Sequence, residues 1–185
     1  MAAEAPRPFC FRLRECAGAS YHRGGIGQAL RFVYLVSLVA WVGGIIFFSF
    51  VGAPSTFQAV PVEMAGKVVA RIFPRYYLLG FVAGLAALVA FLGLARMSGQ
   101  WDALKIANTV LLTAMLGTGL YAGTVVQRQA NEVRRQIESF EDRAQVRPEL
   151  RIEFGRLHRL AVILNGVVLC LGLVVVFVTA TSLRL

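Results

Sequence analysis

The sequence predicts an all-α integral membrane protein: a four-helix bundle with an extramembrane helical hairpin between its third and fourth helices. Three observations predict it. The 185-residue chain is 57% hydrophobic, more than a soluble domain of this size can hide in its interior. Charged residues leave four uncharged intervals: 31 residues between Arg31 and Glu63, 20 between Arg75 and Arg96, 22 between Lys105 and Arg128, and 24 between Arg159 and Arg184. Each can supply the roughly 20 apolar residues that a spanning helix needs. None alternates like a barrel strand, and only helices and closed barrels satisfy their backbone in lipid.

The spans are expected at about 30–52, 75–96, 104–126 and 157–181, within a transmembrane domain over 29–183. Ahead of them, residues 1–28 carry Pro6, Pro8, Gly24, Gly25 and Gly27 among arginines, which predicts a disordered tail that includes His22. The first span should end at Gly52-Ala53-Pro54. It starts too far from the N-terminus, and is too long, to be a signal-peptide core.

Between the first two spans, Pro61 suits a first helical position, and Glu63, Lys67 and Arg71 are four apart. Residues 61–73 therefore predict a short interfacial helix, with Pro74 marking the start of the second span. Beyond the third span, Val126, Ala130, Val133, Ile137 and Phe140 alternate by four and three among charged residues. This coiled-coil-like stripe predicts that the third helix leaves the membrane and that a helix opened by Pro148 returns, its apolar face formed by Leu150, Phe154 and Leu157. The extramembrane segment covers about 127–156, and 126–157 is the candidate surface for a homo-oligomer or a partner protein.

The net charge of +9 suits flanks that face anionic lipid, so membrane lipid is the expected partner. No nucleic-acid motif accompanies it, and no nucleic-acid partner is expected. The even number of spans puts both termini on one side. The raw count of Lys and Arg is 8 on that side against 11 opposite, but around the first helix it is 5 against 3. The first helix usually dominates, so both termini are expected in the cytoplasm. Cys10 and Cys16 match no zinc spacing, and Cys170 is read as a small packed hydrophobe.

Polar residues inside spans are the first functional suspects. They include Ser37, Ser49, Asn108, Thr109, Thr113, Thr118, Tyr121, Thr124 and Asn165, none of them charged at neutral pH. Asn108, near a helix end, is expected at the interface, and Asn165 lies deeper. His158 opens the fourth span seven residues before Asn165, on the same face. It is the one metal-ligand candidate in the span-forming region. Arg75, Tyr76 and Arg156 fall at the same membrane end, so the candidate binding residues are His158, Asn165, Arg75, Tyr76 and Arg156. The competing reading is that these residues only anchor helix ends. Gly80 with Gly84, and Gly119 with Gly123, form two GxxxG pairs that permit close helix contact. P-loop, GxSxG, HExxH, CxxC and dinucleotide-binding glycine patterns are missing from the sequence. No catalytic residue is assigned.

Three stretches resemble the transmembrane protein 205-like family, which carries domain of unknown function 4149. They are Ala40-Trp41-Val42-Gly43-Gly44 with Phe47-Phe48-Ser49-Phe50-Val51 and Ala53-Pro54; Ala65-Gly66-Lys67-Val68-Val69 leading to Phe73-Pro74-Arg75-Tyr76-Tyr77; and Phe154-Gly155-Arg156-Leu157-His158 with Asn165. The likeness covers about 29–180 and implies a four-span bundle in a bacterial inner membrane. A more distant likeness extends to CopD-type copper proteins and to four-helix haem-binding protoporphyrinogen oxidases. Those carry a histidine in the first helix, where this chain has only Phe32 or Tyr34.

The expected function is non-enzymatic, in transport, tolerance or membrane scaffolding, with no cofactor. The alternatives are a b-type haem redox protein with His158 as axial ligand, and an accessory subunit of a larger membrane complex.

Overall fold

A computed structural model describes the backbone of residues 9–138 and 147–182, and the side chains of 24–138 and 147–181. Helix α1 runs Phe9–Phe47, then a π-helical turn Phe48–Gly52, then α2 Ala53–Ala59. Helix α3 is Val62–Met97 and α4 is Ala103–Tyr121. A second π-helical turn, Ala122–Val126, joins α4 to α5, Gln127–Glu138. Helix α6, Pro148–Ser182, returns. The described residues contain no strand. Four rods are long and apolar enough to cross a membrane: Gly24–Ala59, Val62–Met97, Ala103–Glu138 and Pro148–Thr181. The protein is therefore a multi-pass membrane protein.

Each of the first three rods has 36 residues. At 1.5 Å per residue that is about 54 Å, against a hydrocarbon core of about 30 Å. The excess length stacks residues 53–74 against 127–138 and 147–157 at one end of the bundle. Arg134 ties that end together, donating from Nη1 to the Gly66 carbonyl at 2.6 Å and pairing with Glu138 at 2.9 Å. Val126, Ala130 and Val133 are buried, as is Leu150 of the returning helix, so the predicted hairpin stands and its stripe is covered within the chain. Phe140 lies outside the described residues.

Three boundaries differ from the sequence reading. The backbone is helical from Phe9, so the part of the expected tail over 9–28 belongs to α1. The first rod does not stop at Gly52-Ala53-Pro54 but continues to Ala59. Pro54 falls in the first turn after the π segment, where its missing N–H costs little. Residues 62–73 are not a separate interfacial helix, and Pro74 does not open the second span: both lie inside α3. A spanning helix tolerates such a proline because neighbouring helices and local adjustments re-satisfy the freed backbone.

The core is built by large side chains entering glycine gaps. Trp41 is buried against α3: a Cβ on Gly84 would lie 2.6 Å from its ring, and one on Gly80 3.1 Å from its Nε1. Gly123 similarly admits Tyr77, and Gly172 admits Val42. Both GxxxG pairs thus serve packing inside the chain. At the opposite end α3 and α4 meet through a tight turn in which Gly99 has φ +71°, a conformation that favours glycine. Asp102 caps α4 there, accepting from the Lys105 backbone N–H at 2.9 Å.

A candidate ligand cleft

The bundle holds two hydrogen-bonded groups of the same composition, a tyrosine, an asparagine and a hydroxyl, one near each end. Near the tight-turn end, the Asn108 amide donates to the Tyr34 hydroxyl at 2.9 Å, and that hydroxyl shares a bond with Thr179 at 2.8 Å. Three rods are joined. Asn108 is 3% exposed, so it is a core residue and not the interfacial one expected; its side-chain oxygen is buried without a partner among the described residues.

Near the hairpin end, Tyr76 donates to Asn165 Oδ1 at 2.5 Å, and Asn165 Nδ2 donates to Ser49 Oγ at 3.0 Å. This group joins the first, second and fourth rods. Tyr76 also belongs to an aromatic cluster with Phe48, Phe73 and Tyr77, with ring centroids 5.0–6.4 Å apart. Such offset and edge contacts favour a fixed ring arrangement.

Both π-helical turns lie at this second group. Ser49 is in the first, and the second supplies Ala122, Gly123 and Thr124. A π turn inserts one residue into the helical register and recurs at functional sites. Here the Thr56 hydroxyl donates to the Gly52 carbonyl at 2.7 Å and the Thr124 hydroxyl to the Leu120 carbonyl at 2.6 Å, serving backbone acceptors in or beside the widened turns.

Beside the group is a cleft of about 440 Å³. Its apolar part is lined by Trp41, Leu79, Phe81, Leu116, Leu120 and Val168. Its other end carries Tyr76, Tyr77, Asn165, Gln127, Arg128 and Asn131. Leu78, Leu79, Phe81 and Leu120 are exposed along it, so it opens sideways between α3 and α4, towards lipid. The indole N–H of Trp41 has no hydrogen-bond partner among the described residues. A volume of this size, mostly apolar with a few convergent polar groups, is the ordinary form of a small-molecule site.

The five candidates separate. Tyr76 and Asn165 are bonded to each other and line the cleft. His158 is exposed, its ring stacked on Phe154 of its own helix with centroids 6.4 Å apart. Arg75 and Arg156 are exposed, and no hydrogen bond or ion pair among the described residues joins either to His158. Of the five, Tyr76 and Asn165 line the cleft, and His158, Arg75 and Arg156 do not. Among the described residues no group of three or more His, Cys, Asp or Glu could hold a metal ion. The Tyr34 hydroxyl is engaged by Asn108 and Thr179, and His158, the haem-ligand candidate, is exposed beside Phe154. Cys170 is an exposed free thiol, not the packed hydrophobe expected.

Sequence reasoning did not single out Gln127, Arg128 and Asn131 as site residues. A usable signal was present: Gln127 adjoins the apolar stripe, and it is 7% exposed.

No curated protein and no solved structure shows significant similarity to the chain. A family model described as a domain of unknown function (DUF4149) matches residues 36–139, which is 104 of the 185 residues. The chain therefore belongs to that family. The match contains Trp41, Ser49, Tyr76, Tyr77 and the second π turn, and ends before Asn165.

Proposed function

We propose that this member of the family is a non-enzymatic membrane protein that takes a small, largely apolar molecule from the bilayer into the cleft between α3 and α4, acting in transport or tolerance. The observation that carries the proposal is the cleft itself: about 440 Å³ in volume, open to lipid and bordered by the second π turn through Ala122, Gly123 and Thr124. Among the described residues its lining holds no Asp, Glu, His or Cys. Binding needs only shape and a few polar contacts, which Tyr76, Tyr77, Asn165 and Gln127 supply. The π turns and Pro74 interrupt regular helices at one level of the bundle, where a sideways opening could widen. The proposal keeps the transmembrane protein 205-like resemblance, a bacterial inner membrane and cytoplasmic termini, which reporter fusions at the C-terminus would test.

The experiment uses Trp41 as its own probe. With Trp101→Phe, Trp41 is the remaining tryptophan of the two. In phosphatidylcholine nanodiscs, ω-bromododecanol should quench its fluorescence saturably, and Gly119→Leu, which places a side chain in the cleft, should abolish the saturable part while the fold persists by circular dichroism. Quenching that rises only in proportion to partitioned alcohol in both proteins would overturn the proposal.

A further inference from the structure

We infer that the cleft selects an anionic single-chain amphiphile from the bilayer, with Arg128 receiving its head group. This rests on the cleft being a ligand site and adds the chemical class of the ligand. Among the described residues lining the cleft, Arg128 is the only charged one. It stands two residues beyond Val126, where the second π turn ends, and it is exposed. No acidic side chain forms an ion pair with it among the described residues, although Glu132 stands one turn along the same helix.

The rest of the lining is ordered along one direction. From Arg128, neutral donors and acceptors follow: Gln127 and Asn131, joined at 3.3 Å, then the tyrosines. Trp41, Leu116 and Val168 close the far end. A cation at the mouth, amides below it and an apolar floor complement a molecule with one anionic head and one chain. A guanidinium can hold a phosphate or carboxylate through two parallel hydrogen bonds. A neutral apolar molecule would leave Arg128 without a role, and a cation would meet a like charge. The sideways opening past Leu79 and Leu120 makes the bilayer the source.

The test compares two ligands with the same chain. In the Trp101→Phe protein, ω-bromododecyl phosphate should quench Trp41 saturably with roughly ten-fold higher apparent affinity than ω-bromododecanol, the scale of one charge-assisted contact. Arg128→Gln should bring the phosphate down to the alcohol and leave the alcohol unchanged. Arg135→Gln, an exposed position on the same helix that does not line the cleft, should preserve the preference. Equal affinity for both ligands in the parent protein overturns the inference but leaves the cleft reading intact. A preference that survives Arg128→Gln, or that Arg135→Gln erases equally, also overturns it, because the head group then lies elsewhere or senses only surface charge. Saturable quenching by neither ligand defeats the cleft reading itself.

Discussion

The two ends of the bundle use the same side-chain chemistry for opposite results. At one end Tyr34, Asn108 and Thr179 tie three rods together inside a packed core, with regular helices on every side. At the other, Tyr76, Asn165 and Ser49 make an equivalent tie, yet a cleft opens beside it. The difference lies in the backbone. The closed end has a short turn capped by Asp102, whereas the open end has two π turns and Pro74 inside α3. Polar ties in lipid hold helices together at modest strength, so what surrounds them decides whether the interior fills.

The largest expected effect breaks the wall that both regions share. Trp41 belongs to the core that contains Tyr34 and also lines the cleft. Trp41→Ala should cost about 3–5 kcal/mol in reversible unfolding by detergent titration, through lost contact and an enlarged void. The next comparison sets one glycine against another. Gly84→Ala drives a Cβ into the Trp41 ring and should cost about 1–3 kcal/mol, whereas Gly117→Ala meets nothing within 4 Å and should be neutral or slightly stabilising. Equal effects would mean that Trp41 does not sit between the helices as described.

Substituting the two asparagines sharpens the contrast directly. Asn108→Ala, at the buried tie, should cost on the order of 1–2 kcal/mol; Asn165→Ala, beside the cleft, about 0.6 kcal/mol. The second substitution should change saturable Trp41 quenching and the first should not. The smallest effect is a pH dependence at the closed end. The Lys105 backbone N–H, and then its ammonium, hold the Asp102 carboxyl below its usual range. A folded-state value below the unfolded one contributes stability that is present above the unfolded value and lost as pH falls through the folded one. A thermal melt should therefore show a small acid loss, below the ordinary carboxylate range, that Asp102→Asn removes.

The spans were legible because lipid imposes a simple rule on charge, and four uncharged intervals follow it. The hairpin was legible because the stripe from Val126 to Ile137 has a helical period. Pro54 and Pro74 misled the boundaries, since local propensity weakens where tertiary neighbours and lipid hold a helix together. The site was half legible. Asn165 stood out as a polar residue at span depth and Tyr76 as a residue at the same membrane end, but their pairing depends on rod rotation, which no spacing rule supplies across 89 residues. His158 drew interest by residue type alone. The π turns carry no local signature, and without them Arg128 reads as one more charge on an exposed helix.

The central claim is that a bilayer molecule enters between α3 and α4, and photo-crosslinking tests it most directly. A dodecyl phosphate carrying a diazirine at its chain end, irradiated with the protein in nanodiscs, should label the 78–81 and 116–120 segments that flank the cleft. Gly119→Leu should remove that labelling selectively. Labelling spread evenly over lipid-facing residues such as Phe32, Val39 and Phe177, and unchanged by Gly119→Leu, would contradict the account.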